Sequence, residues 1–120
     1  MSDSHFDRVV KLGTMLPETS ESTWYGTPSL KVKGKGFVRM KEKMDGVLVV
    51  TVPIGLKEAL IEAEPEKYFE TPHYAGWPAM LVRLDAISDD ELQRRLECAW
   101  LEKAPRKLAT GYNNMIEGEK

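Results

Sequence analysis

Apolar residues recur at helical spacing near the start of the chain. Phe6, Val9, Val10 and Gly13 fall near one face while Asp7, Arg8 and Lys11 turn away, so residues 4–15 are predicted to form a helix ending before Pro17. Residues 17–22 are polar and read as a loop. The spacing then switches to alternation. Residues 23–33 are extended with a break at Gly26-Thr27-Pro28, and Ser29-Leu30-Lys31-Val32-Lys33 alternates cleanly. Lys33-Gly34-Lys35-Gly36 supplies a turn, and Phe37-Val38-Arg39-Met40-Lys41 returns as a second strand. Asp45-Gly46 is a hairpin signal, and residues 47–52 follow as a third strand. That strand is apolar on both faces, which predicts a central position covered at least partly on both sides.

Beyond Pro53, residues 56–64 read as a helix presenting Leu56, Leu60 and Ala63, stopped by Pro65. Tyr68 and Phe69 begin a short extended stretch, and residues 77–84 give another strand. Ser88-Asp89-Asp90-Glu91 is a capping-box pattern. The helix it starts offers Leu92, Leu96, Ala99 and Trp100 to a core, with Pro105 at its end or at a kink. The expected fold is a two-layer α+β domain, an antiparallel sheet with helices on one side. Residues 1–112 form one domain in this reading, and residues 113–120 a flexible C-terminal tail.

Composition narrows the class. The 120 residues are 42% hydrophobic and 30% charged, as in an ordinary globular protein. The longest apolar run, Val47–Val50, is far short of the roughly 20 residues of a membrane helix. Cys98 is the single cysteine, which excludes an internal disulfide and a cysteine-rich zinc site. The first residues lack a signal-peptide pattern, so a cytoplasmic location, with no membrane partner, is expected. The net charge of −2 argues mildly against a dedicated nonspecific nucleic-acid binder. The charge is nevertheless polarised. Six cations (Lys31, Lys33, Lys35, Arg39, Lys41, Lys43) face Glu42 alone, whereas Glu58, Glu62, Glu64, Glu66 and Glu70 outnumber Lys57 and Lys67.

Three motifs carry a family resemblance. They are Trp24-Tyr25-Gly26-Thr27-Pro28-Ser29-Leu30-Lys31-Val32, then Gly34-Lys35-Gly36-Phe37, then Thr71-Pro72-His73-Tyr74-Ala75-Gly76-Trp77. With a closing helix that holds Ala99-Trp100 and Ala104-Pro105, the chain resembles the MmcQ/YjbR family from about Phe6 to Leu108. The resemblance implies a small α+β domain of order α-β-β-β-α-β-β-α, similar in shape to CyaY-like or secretion-chaperone-like folds. It also implies DNA binding, the label that family members usually carry.

Two sets of residues are candidates for function. If Val32 pairs with Gly36 across a three-residue loop, then Lys31, Lys33, Lys35, Phe37 and Arg39 share one strand face, and Lys41 extends it. A basic stripe with an interleaved aromatic suits the phosphate backbone and bases of DNA, weakly and with little sequence preference. A two-residue Lys33-Gly34 loop instead turns Phe37 inward to a core. The other set is an aromatic corner of Trp24, Tyr25, His73, Tyr74 and Trp77, able to receive a protein or small molecule, or simply to pack.

Enzymatic motifs are absent. His5 and His73 have no metal-ligand spacing, and Lys33-Gly34-Lys35-Gly36 is not a phosphate-binding loop. Cys98 falls away from the apolar helix face and reads as an inert thiol. Asp89, Asp90 and Glu91 suit the positive end of a helix better than paired catalysis. The expectation is a monomeric, non-enzymatic domain with no metal and no cofactor.

Overall fold

The structure, a computed structural model, describes the backbone of residues 3–24 and 26–118, and the side chains of residues 5–24 and 26–112. Helix α1 (Asp3–Gly13) leads into four successive strands, β1 (Thr19–Trp24), β2 (Thr27–Val32), β3 (Lys35–Met40) and β4 (Val47–Thr51). Then come α2 (Ile54–Ala63), β5 (Tyr68–Phe69), a 3₁₀ turn at Pro72–Tyr74, β6 (Ala79–Arg83), a second 3₁₀ turn at Leu84–Ala86, α3 (Asp89–Lys103) and α4 (Arg106–Gly118). The strands form one antiparallel sheet in the order β1-β2-β3-β4-β6-β5. The fold is α+β, as the hydrophobic pattern implies.

Two elements go beyond the expected order. Residues 19–22, read as loop, join Thr23 and Trp24, read as extended, in the edge strand β1. Edge strands bury little, so a polar run such as Thr-Ser-Glu-Ser-Thr needs no apolar alternation to pair along β2. Pro105 separates two helices rather than ending the last one, because proline suits the start of a helix, where its missing N–H is not needed. The backbone stays helical through Gly118, where the sequence pattern suggests a tail from Asn113.

The main core lies on one face of the sheet. Leu30, Val32, Val38, Leu48, Val50, Met80 and Val82 meet Val9 of α1 and Leu92, Leu96, Ala99 and Trp100 of α3. Leu60 and Ile61 of α2 and Leu108 and Tyr112 of α4 pack against the same cluster. Leu56, expected to share the core face of α2, is exposed instead. Trp100 is fully buried, and its indole N–H donates to the Pro17 carbonyl at 2.9 Å. A smaller cluster, Val47, Val49, Leu81 and Tyr74, occupies the opposite face. Strand β4 lies between β3 and β6 and is covered on both sides, which accounts for its unbroken apolar run.

The β2–β3 hairpin takes the shorter of the two loops. Val32 pairs with Lys35 across Lys33-Gly34, whose φ values of 51° and 83° are those of a type I′ turn. A bulge follows: Lys31 pairs with Gly36 but Leu30 with Val38, so Phe37 is the extra residue.

At the start of α3, Ser88 Oγ accepts the Glu91 amide N–H at 3.2 Å. The Glu91 carboxylate does not complete the box. It accepts from Lys67 Nζ at 2.6 Å and from the hydroxyl of fully buried Tyr68. Burial pushes the Glu91 carboxyl up, but the bonds from Lys67 and Tyr68 outweigh it and hold Glu91 below the usual glutamate range. Lys67, bound also to Glu64 at 2.7 Å, is raised in turn by its Glu64 and Glu91 bonds. Burial, then the Glu91 bond, raises Tyr68. Among the described residues, no helix is long and apolar enough to cross a membrane.

Candidate functional site

The face of the sheet away from the helices holds a cavity of about 790 Å³. Trp24, Arg39, His73, Tyr74 and Trp77 line it over a floor that includes Val49 and Ala79. Two distant stretches of chain meet here: the β1–β3 sheet and the loop before β6.

Local chemistry positions each wall. Trp24 ends β1, where the Thr27 hydroxyl donates to its carbonyl at 2.9 Å. Its indole lies over Gly36. A Cβ at Gly36 would stand 2.5 Å from Trp24 Cε3, so only glycine leaves room for the ring. Arg39 lies opposite Ser29 on β3, its guanidinium 5.9 Å from the Trp24 ring centroid. Across the cavity, Thr71-Pro72 opens the 3₁₀ turn, and the Tyr74 N–H donates to the Thr71 carbonyl at 2.9 Å. Tyr74 is buried, and its hydroxyl accepts from Arg39 Nη2 at 2.6 Å, joining the two walls. The His73 ring stands edge-on to Tyr74 at 4.9 Å. Trp77 is 63% exposed at the rim.

Lys57 holds the loop from beneath. Although it is a lysine on a helix, it is only 3% exposed. Its ammonium donates to the carbonyls of Tyr74 at 2.7 Å and Trp77 at 2.9 Å, and pairs with Glu70 at 2.5 Å. Three donors meet three acceptors, so the buried charge is fully matched. Sequence reasoning passes over Lys57 because a helical lysine in an acidic stretch reads as a solvated residue, and no motif marks it.

The sequence-derived residues divide unevenly. Trp24, His73, Tyr74 and Trp77 converge on the cavity, while Tyr25 lies outside the described residues. The basic stripe does not form as one surface. The bulge puts Gly36 and Arg39 on the face of Lys31, and Lys35 on the other. Phe37 is fully buried within the main core and offers no stacking surface at the protein's exterior. Lys33, at the turn, is 3.6 Å from Glu18. Arg39 and Lys41 instead line the cavity with the aromatics, and Lys41 Nζ donates to the Glu42 carbonyl at 3.3 Å. The register change at Phe37 is what a strict alternation cannot reveal.

No group of three or more His, Cys, Asp and Glu side chains among the described residues is placed to hold a metal ion. The arrangement offers stacking surfaces, two cations and an apolar floor, which is the equipment for binding.

The family model YjbR matches residues 14–102, which include Trp24, Arg39, Lys57 and the whole 71–77 loop. Three mycobacterial proteins, the uncharacterized proteins Rv2570 and MT2646 of Mycobacterium tuberculosis strains and Mb2600 of Mycobacterium bovis, are each 47% identical to the chain over 58 residues. That match takes in 48% of this chain and 45% of each relative, so the chain spans less than half the length of the curated relatives it matches. The crystal structure of Deinococcus radiodurans protein DR2400, with the family-model domain DUF419, has a similar fold. The TM-score is 0.70 over 85% of this chain and 80% of that one, at 20% identity.

Proposed function

The chain belongs to the YjbR family, and on that premise we propose that it is a non-enzymatic, cytoplasmic binding domain whose ligand, a small molecule, occupies the aromatic cavity on the open face of the sheet. The observation that carries this reading is the convergence of Trp24, Arg39, Tyr74 and Trp77 around about 790 Å³. That volume lies within the roughly 300–1,000 Å³ of small-molecule sites, which combine apolar lining with a few placed polar groups. The Arg39–Tyr74 bond and the Lys57 clamp support it further, since walls fixed before binding lower the ordering cost.

The three tryptophans supply the test. Trp24 and Trp77 line the cavity, whereas Trp100 is buried in the other layer. A screen of heteroaromatic fragments by protein NMR should move the indole N–H signals of Trp24 and Trp77, saturably, and leave that of Trp100 in place. Trp77→Ala should abolish binding with the fold retained. Fragments that move none of the three signals, or only Trp100, would sink the reading.

A second reading is weak contact with the DNA phosphate backbone through the β2–β3 hairpin. Lys33 and Lys35, exposed at its tip, favour it. The divided stripe and the buried Phe37 weigh against it. DNA binding that falls steeply with salt and is lost in a Lys33→Glu, Lys35→Glu variant would favour the hairpin.

A further inference from the structure

Resting on the cavity being a ligand site, we propose that its ligand is a flat aromatic anion, with the ring system held between Trp24 and Trp77 and the acidic group at Arg39 and Lys41.

The walls supply two kinds of chemistry. Val49 and Ala79 offer only hydrocarbon, so whatever rests on the floor must be apolar there. Trp24 comes from the end of β1 and Trp77 from the loop before β6, and indole faces favour flat π systems. The exposure of Trp77 fits a ring that is covered only when something stacks on it.

The charged side is lopsided. Arg39 and Lys41 both line the cavity, and Glu42 is the single carboxylate among the lining residues. Glu42 is exposed, so solvent screens it, whereas Arg39 and Lys41 are half-buried and their field acts more strongly within the cavity. Arginine stays charged at every pH a folded protein tolerates, and its planar fork matches carboxylate, sulfonate or phosphate oxygens. The Tyr74 hydroxyl fixes where that fork points. The ligand therefore combines an apolar plate with a negative group, the latter close to the Trp24 ring because Arg39 lies 5.9 Å from its centroid. A cationic or sugar-rich molecule meets the wrong charge or the wrong floor.

A matched pair of fluorescent probes tests this. Anilinonaphthalene sulfonate is an aromatic anion, and phenylnaphthylamine has the same rings without the acid. The sulfonate should bind the wild-type protein roughly 10- to 100-fold more tightly, the range expected from a charge-assisted hydrogen bond. Added salt should narrow that gap. Arg39→Gln should weaken the sulfonate by a larger factor than the neutral probe and so close most of the gap between them. Lys41→Gln should move it the same way by a smaller factor, and serves if Arg39→Gln fails to fold. Probe location is read from the Trp24 and Trp77 indole signals. Equal affinity for both probes at that location, or a preference for the sulfonate that survives loss of the cations, overturns the aromatic-anion inference and leaves the cavity as a ligand site. If no fragment or probe moves those indole signals, the ligand-site reading itself fails.

Discussion

The ammonium of Lys57 lies 2.7 Å from the carbonyl oxygen of Tyr74, and through that contact helix α2 sets the position of one wall of the cavity. The residue contributing the carbonyl also accepts a hydrogen bond from Arg39 at its other end, through its hydroxyl. A buried cation, a backbone carbonyl, a phenol and a guanidinium thus run in sequence from helix to sheet.

Replacing Lys57 with methionine keeps much of the apolar stem and removes the charge. Two loop carbonyls and Glu70 lose their partner, so stability should fall by about 2–3 kcal/mol. Amide hydrogen exchange of residues 74–77 should accelerate and cavity probes should bind more weakly. Unchanged protection in that loop would contradict the clamp.

Trp100 is fully enclosed and spends its indole N–H on Pro17. Trp100→Ala should cost roughly 3–5 kcal/mol, the usual range for deleting a buried large aromatic. An unaltered melting temperature would remove Trp100 from the core.

Acid should act through Glu91. Its carboxyl is held below the ordinary glutamate value, so the stability it contributes is complete above that value, about 4.3, and is lost as pH falls through the depressed one. Lys67 and Tyr68 are shifted upward, so their contribution is complete below their ordinary values and is lost as pH rises through the raised ones. Denaturant titrations across pH should show a shallower acid limb in Glu91→Gln than in wild type. Parallel acid limbs would mean that Glu91 is not responsible.

Tyr112 donates its hydroxyl to Glu97 at 2.5 Å, and burial together with that carboxylate pushes its ionisation up to about 12. Its proton is thus held beyond the usual tyrosine value of about 10. Spectrophotometric titration should show a late-ionising tyrosine whose transition moves down in Glu97→Gln.

Charge reversal at Lys33 and Lys35 separates the two functional readings. Both side chains are exposed, so the double change to glutamate should alter stability by no more than about 0.5 kcal/mol each. Binding of an aromatic anion in the cavity should survive it, while any salt-sensitive DNA affinity should vanish. Loss of probe binding in that variant would tie the cavity to the hairpin.

Much of the fold is legible wherever burial imposes a period. The alternation around Leu30 and Val32, the two-sided apolar run of β4 and the Ser88 cap each translate directly into structure. The first four residues of β1, Thr19 to Ser22, escape because an edge strand with little burial has no period to impose. The aromatic half of the site is visible as a cluster of unusual residues. Its partnership with Arg39 is hidden, because one extra residue at Phe37 reverses the facing of everything beyond it. Lys57 depends on tertiary contacts alone.

The sheet order has a kinetic consequence. Strands β1 to β4 pair with their neighbours in the chain, but β6 reaches β4 only after residues 52–78 have looped out and returned. Closing the longer loop carries the larger entropic cost, so the meander can form well before the β4–β6 seam. Trp24 and Arg39 belong to the early part, and Tyr74 and Trp77 to the segment that arrives with the seam. The cavity straddles the join. A chain with its hairpins formed but its seam open has only half of it, and a ligand of the cavity recognises the closed sheet alone. Such a ligand acts as a latch: it slows unfolding through the seam and leaves the rate of hairpin formation untouched.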